Sequence, residues 1–124
     1  MRKLITDGFV IFISIFASFS VENYREASLE KGVLNDAVIT LGEQGALFKD
    51  SNQIIHQPAY QAGRVLETTG AGDAFNGGLA VAVAEGMPID KVLRFACATA
   101  SISVTRPGTA PSMPSRDEIE ALIK

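Results

Sequence analysis

A chain of 124 residues with 47% hydrophobic side chains is long enough to bury one modest core. Eleven basic and fourteen acidic residues give a net charge of −3, and no long basic block occurs, which excludes the electrostatic footprint of a nucleic-acid binder. Cys97 and His56 are the sole cysteine and histidine, which excludes an internal disulfide and a zinc cage; a lone thiol suits a reducing compartment.

Met1-Arg2-Lys3 leads into a charge-free run from Phe9 to Val21. Three readings compete for it: a signal-like or membrane-touching segment, a buried strand, or a non-native leader of a truncated reading frame. The run is too short to span a bilayer as an ordinary helix. Phe9, Val10, Ile11, Phe12, Ile13, Ile15 and Phe16 favour a strand over a helix. Residues 1–23 are therefore set apart as an apolar leader from a domain over 24–124.

Tyr24 to Glu30 reads as a short polar helix before Gly32, and Ala37-Val38-Ile39-Thr40-Leu41 as a buried strand that stops at Gly42. Ala46–Lys49 and Gln53–His56, separated by Asp50-Ser51-Asn52, form a predicted hairpin. Pro58 to Arg64 is a connecting loop, and Val65-Leu66 carries the chain into Glu67-Thr68-Thr69-Gly70-Ala71-Gly72-Asp73.

That last stretch is the most informative in the chain. Gly70 and Gly72 permit a tight turn and leave no side chain between the backbone amides and a ligand, while a helix opening at Asp73 aims unpaired N–H groups outward. Such a turn suits a phosphate. A carboxylate among those donors repels an anion, so Asp73 needs another task, and accepting a proton from an attacking hydroxyl is one. The plainer alternative is a loop-to-helix connection in which Asp73 only caps the helix.

From Asp73 the apolar spacing is helical, with Phe75, Leu79 and Val83 on a stripe flanked by Ala74, Val81 and Ala82. Gly86-Met87-Pro88 ends this helix. Ile89, Val92, Leu93, Ala96, Ala100 and Val104 predict a second, broken at Pro107-Gly108. Ser115-Arg116-Asp117-Glu118 is a capping box for a third, expected to pack back on the sheet.

The string from Glu67 to Gly78 closely resembles the C-terminal signature of the ribokinase-like (PfkB) carbohydrate kinases. The resemblance continues through Gly78–Gly86, Leu93-Arg94-Phe95-Ala96 and Ser103–Pro114. Upstream it takes in Val38–Ala46, so that about residues 24–124 are covered. It implies an α/β fold, the C-terminal part of a three-layer α/β/α sandwich with a strand-rich start and three helices in the second half. It also implies transfer of the ATP γ-phosphate to a sugar hydroxyl, D-ribose to ribose 5-phosphate, with Mg²⁺ and K⁺, in the cytoplasm. The alternative is a catalytically inactive remnant that keeps a nucleotide or phosphate half-site. A membrane-associated protein built around residues 9–21 is a third, weaker reading.

Residue by residue, the resemblance implies that Asp73 is the catalytic base and that Gly70, Ala71 and Gly72 form the anion hole. Thr40, Gly42 and Gly45 fall at nucleotide contacts, where a plain strand-turn-strand is the reading of the residues alone. Cys97 stands where an Asn or His usually lies near the adenine, and a small buried hydrophobe is its alternative. Glu67, Thr69, Ser103, Arg106, Gly108 and Ser112 match the monovalent-cation loop, with Glu67 in place of the usual Asp. A complete member of the family is more than twice this length. The upstream Asn-x-x-Glu motif is not reproduced by Glu22-Asn23 or Asn35-Asp36, which implies a C-terminal half without the sugar-contacting part. Self-association is left open.

Overall fold

Short runs of β-branched and aromatic residues between glycine or polar turns make four strands of one sheet. The computed structural model describes the backbone of residues 10–14 and all of residues 36–124. Strands β1 (Val10–Ser14), β2 (Asp36–Thr40), β3 (Ala46–Lys49) and β4 (Ile54–Gln57) form one sheet in the order β1-β2-β3-β4. β1 runs parallel to β2, with Phe12 opposite Val38, and the other neighbours are antiparallel, with Val38 opposite Phe48 and Phe48 opposite Ile55. Within the charge-free run, Val10–Ser14 is thus a strand; the polar helix expected over Tyr24–Glu30 lies outside the described residues.

The β3–β4 hairpin turns where its polar residues predict. Asp50 Oδ1 accepts from the amides of Asn52 and Gln53, both at 2.7 Å, and Asp50 N–H donates to the Gln53 carbonyl at 3.0 Å. The aspartate side chain thereby replaces the strand partners that the turning backbone gives up. Ile39, Leu41 and Leu47 form a buried cluster with Ile54 packed against it. Each such side chain contributes about 1.5–3 kcal/mol by leaving water.

The second half is helical: α1 (Ala71–Ala84), α2 (Ile89–Ser103) and α3 (Arg116–Ile123). α1 begins two residues before Asp73 because Gly70, at φ 82°, turns the chain in the left-handed region that a glycine adopts without strain. α1 and α2 pack together through small residues. A Cβ on Gly78 would come within 2.6 Å of Thr99 Oγ1 and 3.2 Å of Ala96 Cα, so the close approach of the two helices requires glycine there. The buried face of α1 is Ala74, Phe75, Gly78, Leu79 and Ala82, while Val81 is exposed.

α2 departs from the single stripe its spacing predicts. Val92, Leu93, Phe95 to Thr99 and Ser101 to Ser103 are all buried, so the helix is covered almost all round. Its hydroxyls are satisfied locally: Thr99 Oγ1 donates to the Phe95 carbonyl at 2.7 Å and Ser103 Oγ to the Ala100 carbonyl at 2.8 Å. α2 also stops at Ser103, before Pro107-Gly108, because Val104 turns its carbonyl to another segment. α3 carries the predicted capping box, with Glu118 N–H donating to Ser115 Oγ at 3.4 Å and Ser115 N–H to Glu118 Oε2 at 2.8 Å. α3 packs against α2, with the Arg116 guanidinium 5.3 Å from the centre of the Phe95 ring.

The chain divides into two compact units, Met1–Pro58 and Ala59–Lys124. Among the described residues no helix is long and apolar enough to cross a membrane.

Candidate functional site

The turn from Glu67 to Asp73 is built by the chain crossing the end of α2. The amides of Leu66 and Glu67 both donate to the Val104 carbonyl, at 2.8 and 3.2 Å. Upstream, Tyr60 N–H donates to Ser101 Oγ at 3.1 Å, so residues 60–67 follow the last turns of α2. The Glu67 side chain then reaches the next loop, where its Oε2 accepts from Gly108 N–H at 2.9 Å.

Gly70 is held from the same side. A Cβ there would lie 3.0 Å from Thr109 Cγ2, on a backbone whose φ already excludes most side chains. The backbone torsion by itself favours glycine at this position, and an added Cβ would also press on Thr109.

The amides of the first turn of α1 are unequally free. Ala71 N–H donates to the Thr68 carbonyl at 3.1 Å, closing the turn, and Ala74 N–H donates to the Gly70 carbonyl at 2.9 Å. Among the described residues, the N–H groups of Gly72 and Asp73 have no such partner. Of the three amides read from the sequence as an anion hole, Ala71 N–H is spent on the turn, whereas those of Gly70 and Gly72, like that of Asp73, have no partner among the described residues.

The Asp73 carboxylate is exposed, and among the described residues it makes no hydrogen bond or ion pair. The helix is capped at Gly70, so Asp73 sits in the first turn proper and capping is not its occupation. An exposed, unengaged carboxylate beside two unbonded amides at the positive end of a helix can accept a proton while the amides face an anion.

The residues that the resemblance reads as a cation loop come together only in part. Glu67 and Gly108 are bonded, and Ser103 lies next to the Val104 carbonyl that receives Glu67 N–H. Ser112 is buried and its Oγ donates to the Thr109 carbonyl at 2.6 Å. Arg106 points elsewhere, to Glu118 of α3, and its guanidinium, followed by the Ser115 amide, holds that carboxyl down at about 2. Thr69 is exposed. Among the described residues no three or more His, Cys, Asp or Glu side chains gather to hold a metal ion.

Thr40, the last residue of β2, and Gly42 and Gly45, in the turn joining β2 and β3, belong to the other unit. Leu41 N–H donates to the Gly45 carbonyl at 2.8 Å and Gly45 N–H to the Gly42 carbonyl at 3.0 Å, with φ of 58° at Gly42 and 93° at Gly45. His56 Nε2 meets the Gln44 carbonyl at 2.7 Å and fastens this turn from β4. Cys97 is buried in α2, where burial pushes its thiol up to about 12. It is therefore a neutral, small apolar group in its surroundings.

Sequence reasoning passes over Thr109, the Val104 carbonyl, His56 and Glu118. Thr109 and Val104 act through a methyl contact and a backbone oxygen, for which residue identity gives no signal. Glu118 reads in the sequence only as the partner of Ser115, and its bond to Arg106 spans the loop between α2 and α3.

Residues 13–116 match the pfkB family of carbohydrate kinases. The ribokinase of Bacillus subtilis is 44% identical over 85 residues, covering 68% of this chain and 29% of that protein. The ribokinase of Arabidopsis thaliana is 40% identical over 99 residues, covering 79% of this chain and 26% of that protein. This chain thus spans between a quarter and a third of the length of these relatives. The structure of Arabidopsis thaliana ribokinase complexed with ribose and ATP is similar at a TM-score of 0.82 and 30% identity, covering 93% of this chain and 40% of that one. Thermotoga maritima ribokinase gives 0.71 and 39% identity, covering 85% and 35%. The strand-rich start and three following helices are accordingly part of the α/β ribokinase fold.

Proposed function

Because this chain belongs to the pfkB family of carbohydrate kinases, we propose that it takes part in ATP-dependent phosphorylation of a sugar hydroxyl, with D-ribose as acceptor and ribose 5-phosphate as product. The observation that carries the reading is the exposed, unengaged Asp73 carboxylate in the first turn of α1, beside the unbonded amides of Gly72 and Asp73. The Arabidopsis relative solved with ribose and ATP supports the choice of substrates.

In this reading the sugar hydroxyl oxygen attacks the γ-phosphorus of ATP, a P–O bond to the sugar forms, and the bond from the γ-phosphorus to the bridging oxygen breaks to release ADP. Asp73 accepts the hydroxyl proton, and the Gly72 and Asp73 amides, with the dipole of α1 behind them, face the charge on the moving phosphoryl group. The protein does little covalent work; it positions and stabilises. Thr40, Gly42 and Gly45 are assigned to the nucleotide, whereas Cys97 serves packing.

The loop suits a hard monovalent cation in its donor chemistry. Ser103 and Ser112 give their hydroxyl protons to backbone carbonyls, which leaves oxygen lone pairs, and Glu67 has a second carboxylate oxygen beside the one on Gly108. Arg106 could offer only its carbonyl. Mg²⁺, carried on the nucleotide phosphates, would supply neutralisation of the β- and γ-phosphate charge.

The test is ribose-dependent ADP release by the chain with Mg²⁺ and K⁺, compared with Asp73→Ala. Turnover lost in the variant is the expected result. ATP binding without turnover in folded protein would replace this reading by that of a nucleotide-binding, non-catalytic unit.

A further inference from the structure

The segment entering the phosphate turn is pinned to the loop after α2 at three levels. The Leu66 and Glu67 amides share the Val104 carbonyl, Glu67 Oε2 takes the Gly108 amide at 2.9 Å, and Gly70 closes on Thr109, where an added Cβ would come within 3.0 Å of Cγ2. Of these contacts, the one at Glu67 is the hydrogen bond made by a side chain that could have been chosen otherwise. The backbone of residue 67 is already fixed on Val104, so side-chain length decides whether Gly108 is reached. Aspartate would stop about 1.5 Å short, beyond hydrogen-bond distance from the same backbone. Gly108 itself sits at φ 84°, where the loop turns sharply enough to aim its N–H back at residue 67.

We propose that Glu67 is a positioning residue: its carboxylate straps the 104–112 loop to the phosphate turn through the Gly108 N–H, and so keeps Gly70 seated on Thr109 and the Gly72 and Asp73 amides aimed outward. The glutamate length is then a fitted feature, and the oxygen that holds Gly108 works for the protein instead of for an ion. The inference rests on the phosphate-turn reading for its effect on ligands, but the strap itself does not.

The experiment measures two things on the full chain and on Glu67→Gln, Glu67→Asp and Glu67→Ala: hydrogen exchange of the Gly108 amide, and affinity for ATP by calorimetry in potassium and in Tris buffers. Glutamine keeps an acceptor at the same reach without the charge, so it retains Gly108 protection and binds ATP within about threefold of the parent. Aspartate and alanine lose the protection, and ATP affinity falls about tenfold, the scale of a hydrogen bond to a charged group, equally in both buffers. Glutamine behaving like alanine, or aspartate keeping full protection, would overturn the strap and return Glu67 to a purely charge-based role. Should the alanine variant not fold, the glutamine and aspartate variants still decide, and an unprotected Gly108 amide in the parent chain overturns the proposal by itself. Absence of ATP binding with the exchange pattern as expected leaves the strap standing and removes the phosphate-turn reading.

Discussion

Two glycine-rich turns of similar composition, Thr40–Gly45 and Glu67–Asp73, are put to opposite uses. In the first, backbone donors turn inward: Leu41 bonds to Gly45, Gly45 to Gly42, and His56 clasps the Gln44 carbonyl. In the second, the turn is closed by a single amide, Ala71, and the chain opens at once into a helix with Gly72 and Asp73 unspent. Glycine in the first serves backbone geometry. Glycine in the second serves geometry and also clears the approach to donors. The difference lies in the element each turn leads into: an antiparallel strand consumes the neighbouring amides, whereas a helix start cannot.

The largest effect that would sharpen this contrast is at Asp73. With substrates bound, Asp73→Asn should lower phosphoryl transfer by about 10²–10⁴-fold. The urea midpoint should hardly move, because among the described residues the side chain has no partner to lose; a large stability change would mean that Asp73 is structural. Next is Gly70→Ala, which meets both the left-handed φ and Thr109 at 3.0 Å and should cost about 2–4 kcal/mol of local stability. Gly42→Ala, with φ 58° but open space around its Cβ, should cost only about 1–2 kcal/mol. Equal costs at the two sites, read by hydrogen exchange in each unit, would break the comparison.

The smallest effect is a pH response in α3. Glu118 is held at about 2 in the folded chain by Arg106 first and the Ser115 amide second. Its contribution is therefore present above the ordinary carboxylate range and is lost as pH falls from there towards 2. Both partners are well exposed, so the loss should be small and shrink further with salt. Fraying of α3, followed by the Ile119 resonances, should grow over that window and be absent in Glu118→Gln.

Much of this was legible where a local rule governs. The strand Ala46–Lys49, the aspartate turn and the Ser115–Glu118 capping box involve residues close in sequence, and each appears as read. Helix α1 was recognisable from its spacing, yet its inner face was only partly so: Gly78 is buried because α2 approaches there, and Val81 is exposed although it is apolar. At the site, Gly70, Gly72 and Asp73 stood out through backbone freedom and charge placed at a helix start. Which amides remain free did not, since Ala71 is spent by the Thr68 carbonyl, a choice made by backbone torsions. The Glu67–Gly108 bond spans 41 residues and depends on how α2 ends, which no periodicity encodes.

The kinase reading of this chain depends on the Glu67–Asp73 turn being the one open to an anion. A titration of the chain with inorganic pyrophosphate, followed through backbone amide resonances, tests it most directly. The Gly72 and Asp73 amides should shift first and furthest, with Gly42 to Gly45 stationary. Shifts centred on Gly42–Gly45, or none at all in folded protein, would contradict the assignment.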